Sequence, residues 1–88
     1  MTQKTLKDMR KKIDRVDAAI IKLLAERRKL SRAVGRMKAK AGIVVKDPAR
    51  ERAILKHYRT QSKRHRLDPT FVHQLFRSII RYSRSVQK

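Results

Sequence analysis

The chain has 88 residues, 40% of them hydrophobic but only 5% aromatic, and no cysteine. That leaves room for one small domain with a limited core and excludes a disulfide framework or a thiolate metal site. Lys and Arg number 26 against 7 acids, a net charge of +19, so nucleic acid and anionic small molecules are the first partner classes to weigh.

The N-terminus, MTQKTLKDMRKK, has no apolar run after its basic start, and no stretch approaches the ~18 apolar residues of a membrane span. A cytoplasmic chain with no membrane partner is expected. Glycine and proline, two of each, punctuate it. Gly42 ends one long periodic pattern. Pro48 and Pro69 each follow an aspartate, which reads as N-cap then first helical residue. Three helices follow, about 5–41, 48–64 and 69–87, with "GIVV" at 42–45 as an extended connector.

The first helix carries a seam: Leu6, Met9, Ile13, Val16, Ile20, Leu23, Leu30, Val34, Met37 and Ala41 recur in steps of three and four. That is a heptad rhythm. A helix of that length spans roughly 55 Å, about twice the diameter of a compact domain of this size. Two short helices cannot cover it, and a second copy of the same helix can, so a dimer is expected.

The seam has one gap, Arg27, where an apolar residue is due. A guanidinium on a buried stripe is costly unless an anion meets it. That anion is either one of the chain's few acids or a ligand. Lys38 lies three turns further on, within about 20° of the same face. Ser31 and Gly35 fall between them, and Gly35 allows a close approach by a backbone or by a ligand. Arg10 sits about 25 Å from Arg27 along the axis. It is either plain surface or a contributor to a site in another subunit.

The second helix opens on "DPARE". Asp47 and Pro48 make sense as cap and first residue, but Arg50 at N3 opposes the macrodipole where a capping box wants an acid. Glu51 then has two readings, a partner for Arg50 or Lys38, or an acceptor for a ligand hydroxyl. Ala53, Ile54, His57, Tyr58 and Gln61 form a thin apolar face. In the third helix Phe71, Val72, Leu75, Phe76, Ile79 and Ile80 are core positions. Ser83 and Gln87 continue that stripe as polar residues, either a solvated helix end or groups turned inward.

His57, His65 and His73 have no acid beside them. No His–acid spacing suits a metal, and no glycine-rich phosphate loop or activated nucleophile is present. No metal or cofactor is expected. An enzyme built from these residues must work by charge and positioning.

Together the stretches R-x(2)-I-D-x(2)-D from Arg10, L-L-x-x-R ending at Arg27, V-G-x-x-K ending at Lys38, D-x-x-R-E from Asp47 to Glu51, and Gln87 near the end of the third helix resemble the all-helical class of chorismate mutases. The similarity runs from about Leu6 to Gln87. It implies an all-α fold of one long and two short helices, intertwined as a homodimeric bundle. It also implies a pericyclic rearrangement of chorismate to prephenate, in the Phe/Tyr branch of aromatic amino acid biosynthesis, without a cofactor. The resemblance makes Lys38 and Gln87 donors to the ether oxygen and Glu51 the acceptor of the ring hydroxyl, helped by the backbone N–H of Asp47. It makes Arg27 and Ser83 ligands of a carboxylate, Arg10 a residue reaching the other protomer's site, and Arg50 a support for Glu51 and Lys38.

The lyase that splits isochorismate shares the fold but not the D-x-x-R-E pattern, so "DPARE" favours the mutase. A nucleic-acid-binding module rests on charge alone. The basic residues are spread over all three helices, without interleaved aromatics, and nonspecific electrostatic binding is all that they suggest. The resemblance does not account for the +19 charge: steering of a dianion, binding of polyanions and no dedicated role all stay open. The chain closes one residue after Gln87, which reads as a stand-alone or excised mutase domain.

Overall fold

The structure, a computed structural model, describes residues 3–87. These residues are all helical apart from turns and connectors: α1 spans Gln3–Ala41, α2 Pro48–Arg64 and α3 Pro69–Gln87. The bounds of α2 and α3 are those the Asp-Pro signals give. α1 begins two residues earlier than expected, since Gln3 and Lys4 are good helix formers and no breaker precedes Thr5. None of the described helices is long and apolar enough to cross a membrane.

The helix ends show why the chain turns where it does. Gly42 takes a positive φ of 68° after α1. The Ile43 N–H then reaches the Lys38 carbonyl at 2.8 Å and the Gly42 N–H the Ala39 carbonyl at 3.3 Å, the paired bonds of a Schellman stop. Asp47 Oδ1 accepts from the Arg50 N–H at 3.1 Å and opens α2 behind Pro48. Asp68 Oδ1 accepts from the Thr70 N–H at 3.0 Å and does the same for α3.

α2 ends in a second Schellman stop, with bonds from Arg66 to Lys63 and from Leu67 to Ser62. Here the left-handed position holds Arg66, at φ 58°. A side chain there costs about 1–2 kcal/mol, partly offset by the chain entropy that glycine would add to the unfolded state. Replacing Arg66 by glycine is expected to raise the unfolding free energy by about 0.5–1 kcal/mol, read by urea denaturation.

Two compact units make up the chain, Met1–Leu30 and Ser31–Lys88. In the first, the seam expected to be core is exposed: Leu6 is 44% accessible, Ile13 58% and Leu23 61%. Among residues 6–30 Arg27 alone is half-buried. The heptad stripe is there, but a single chain leaves it open to water.

In the second unit α2 and α3 form an antiparallel pair. The Tyr58 and Phe76 rings meet with centroids 4.0 Å apart, and Val72 and Ile80 are buried on α3. Ser62, on the inward face of α2, is buried and returns its hydroxyl to the Tyr58 carbonyl at 2.6 Å, so its polarity is met within its own helix. Phe71 and Leu75, expected as core, are exposed, because α2 offers only a thin apolar face to cover them. Two buried apolar side chains among the described residues are a small core.

Candidate active site

The second unit places three of the expected site residues at one end of its helices. Lys38, half-buried near the end of α1, donates from Nζ to the Val45 carbonyl at 2.8 Å. The connector is thereby tied to α1 by the same residue whose carbonyl closes the helix stop. One of three ammonium protons is used in this bond, leaving two for another acceptor.

Glu51 is half-buried at the start of α2, and its Oε1 meets Arg84 Nε of α3 at 3.3 Å. The two expected protein partners, Arg50 and Lys38, are therefore replaced by a third. Arg50 side-chain pairing with Glu51 is not what the structure shows. Arg50 is exposed, and its backbone N–H is the group that Asp47 caps. Sequence reading missed Arg84. Its only signal is its place three residues before Gln87, which puts both on the last turn of α3. With side chains 32% and 22% accessible, the pair contributes little to stability, about 1 kcal/mol or less. Its effect is to fix the carboxylate's direction and to link α2 to the last turn of α3.

Gln87 ends α3 against α1. Gly35 is buried there, and a Cβ placed on it would lie 2.6 Å from the Gln87 carbonyl oxygen and 2.7 Å from the Gln87 Cα. The close approach left open for Gly35 is thus made by a backbone. Gln87 itself is half-buried, and its side-chain Oε1 is buried with no hydrogen-bond partner among the described residues. A buried amide end without a partner is costly, about 1–3 kcal/mol. Such an acceptor can take a hydrogen bond from water, a ligand or another chain. The terminal torsion of glutamine is two-fold, so a half-turn offers Nε2 in the same place.

The remaining expected residues are distributed as follows. Ser83 is buried on α3. Asp47 is exposed and acts as the α2 cap, and Arg10 is exposed on α1. Arg27 is half-buried in the first unit. The last turn of α3 links Lys38, Glu51 and Gln87 indirectly: Gln87 meets Gly35, one turn before Lys38, and Arg84, one turn before Gln87, meets Glu51.

The described residues thus form an all-helical fold with a lysine, a carboxylate and a buried amide oxygen on neighbouring helix ends. A model of the type II chorismate mutase family matches residues 9–88. A chorismate mutase of Methanocaldococcus jannaschii is 37% identical over 83 residues, covering 94% of this chain and 84% of that one. The bifunctional chorismate mutase/prephenate dehydratase of Escherichia coli K12 is 40% identical over 72 residues, covering 82% of this chain and 19% of its own. A solved structure of a conserved hypothetical protein from Pyrococcus furiosus superposes with a TM-score of 0.78 at 29% identity, over 99% of this chain and 100% of that one. The chain belongs to the type II chorismate mutase family, and its activity is that of the family, an isomerase of the chorismate mutase type.

Proposed function

We propose that the chain works as an intertwined homodimer and turns chorismate into prephenate, in the Phe/Tyr branch of aromatic amino acid biosynthesis, by holding the dianion in its reactive shape and stabilising the ether oxygen. The observation that carries this reading is the buried Gln87 Oε1, without a hydrogen-bond partner among the described residues, on the turn of α3 that Gly35 of α1 meets directly and Glu51 of α2 meets through Arg84. In the rearrangement the ether C–O bond breaks as a new C–C bond forms, all within one molecule. Negative charge grows on the ether oxygen. Lys38 and Gln87 donate to that oxygen, and each such donor is worth about 2.7–4 kcal/mol in a preorganised site.

Arg27 clamps one carboxylate with its planar fork, and Ser83 touches a carboxylate. Glu51, aimed by Arg84, accepts from the ring hydroxyl, with the Asp47 backbone N–H beside it. Arg50 supports Glu51 and Lys38 through charge rather than a bond. Arg10 arrives from the second protomer. The exposed heptad seam supports the dimer: Ile13, Val16, Leu23 and Leu30 are each more than half accessible, which a soluble chain covers with another copy of the same helix.

Subunit mixing tests the shared site. Arg10→Ala and Lys38→Ala homodimers are each expected to be nearly inactive in a chorismate absorbance assay. Mixed one to one and allowed to exchange, half of the dimers are hybrids with one native site, so activity is expected to return to about a quarter of the parent's. A mixture no faster than its components, with exchange shown by mass, overturns the contribution of Arg10 across subunits.

A further inference from the structure

We infer that Gly35 is a positioning residue for the reaction: its missing side chain is the notch that sets the depth of Gln87, and so the reach of the Gln87 amide. The inference rests on the donor role proposed for Gln87. Glycine is the poorest helix former after proline, yet this one lies inside α1 rather than at its end. It is not required by the backbone torsion, unlike Gly42, which has the positive φ and around which a Cβ would meet nothing within 4 Å. Gly35 is the reverse case. A Cβ on it would stand 2.6, 2.7 and 3.0 Å from the Gln87 carbonyl oxygen, Cα and carbonyl carbon.

All three atoms are backbone, so no side-chain rotation relieves the contact. Restoring an ordinary separation means moving the last turn of α3 by about 1 Å. The same turn is tied to α2 by the Arg84–Glu51 pair, three residues before Gln87, so a displacement at Gly35 falls first on the residues beyond Arg84, which are those carrying the amide. A hydrogen bond is lost with a shift of that size, and misplacement by about 1 Å in a reacting geometry costs up to 10²-fold. In the proposed site the carboxylates are clamped chiefly by Arg27 and Arg10 of α1, with Ser83 a full turn before Gln87, so the loss falls mainly on turnover rather than on binding.

The test is a cycle of Gly35→Ala, Gln87→Ala and the double variant, with kcat and KM measured on chorismate. Gly35→Ala is expected to lower kcat about 10–10²-fold with KM within about threefold. In the double variant kcat should equal that of Gln87→Ala within about twofold, because a residue acting through Gln87 has no effect once that amide is gone. A Gly35→Ala chain that slows Gln87→Ala as much as it slows the parent is acting on the fold in general, and that overturns the inference. A fast Gly35→Ala beside a slow Gln87→Ala overturns it too, and leaves the donor role standing. A Gln87→Ala chain as fast as the parent removes the donor role, and the inference with it. If Gly35→Ala does not fold, the parent decides: a nuclear Overhauser effect between the Gly35 and Gln87 α-protons supports the notch, and its absence overturns it.

Discussion

Replacing Lys38 by alanine is expected to lower kcat about 10²–10³-fold, the usual loss when one donor to a developing oxyanion is removed. The helix should survive, since alanine is the better helix former and the Schellman stop at Gly42 uses the Lys38 carbonyl rather than its side chain. The bond from Nζ to the Val45 carbonyl is lost as well, so the connector loosens. Lys38→Gln separates the two effects, because an amide can still donate to Val45 but carries no charge. It is expected to keep the parent's unfolding midpoint better than alanine does while remaining slow. Steady-state kinetics beside circular dichroism read both. A Lys38→Ala enzyme within a few-fold of the parent contradicts the proposed mechanism at its centre.

Arg27→Leu has the second large effect, and its two readouts are expected to move in opposite directions. Leucine completes the apolar seam at the one position where it is interrupted, so stability in urea is expected to rise, by about 1–4 kcal/mol if the case resembles other buried charges replaced by apolar groups. In the proposed complex the Arg27–carboxylate pair is shut from water, and losing one partner of such a pair costs about 2–5 kcal/mol of binding, so kcat/KM is expected to fall by at least about 10²-fold. A purely structural helical dimer predicts the stability gain with no loss of turnover. Arg27→Lys, which keeps the charge but not the bidentate fork, is expected to fall between the two.

Local rules carry much of this fold. Asp47-Pro48, Asp68-Pro69 and Gly42 fixed where helices begin and end, because caps and left-handed stops depend on a few neighbouring atoms. Arg66 shows the limit of that reasoning, since an arginine occupies a position where the glycine signal is absent. The seam on α1 was legible as periodicity, but a periodic stripe says nothing of what covers it, and in one chain Leu23 and Leu30 stay exposed. Phe71 and Leu75 were misjudged for a related reason: a helix's stripe says which face is apolar, while the partner's width decides how much of it is covered.

At the site, residue types out of place were the informative signal. Arg27, Arg50 and Gln87 each broke a local pattern, and Lys38 and Glu51 stood beside them. The contacts among helices could not be read the same way. Nothing in the spacing of Arg84 and Glu51 announces that they meet, and Gly35 left a choice between backbone and ligand that only the position of Gln87 resolves. The large positive charge has no counterpart in the geometry of these residues.

The most direct test of the account is a crystal structure of the dimer with a dianionic bicyclic analogue of the rearrangement's transition state. The account predicts Lys38 Nζ and Gln87 Nε2 both at about 2.7–3.1 Å from the analogue's ether oxygen, with the Arg27 guanidinium on a carboxylate and Arg10 of the second protomer on the other. An analogue seated elsewhere, such as the cleft lined by Arg59, His73 and Arg77, or one whose ether oxygen meets neither Lys38 nor Gln87, would contradict it.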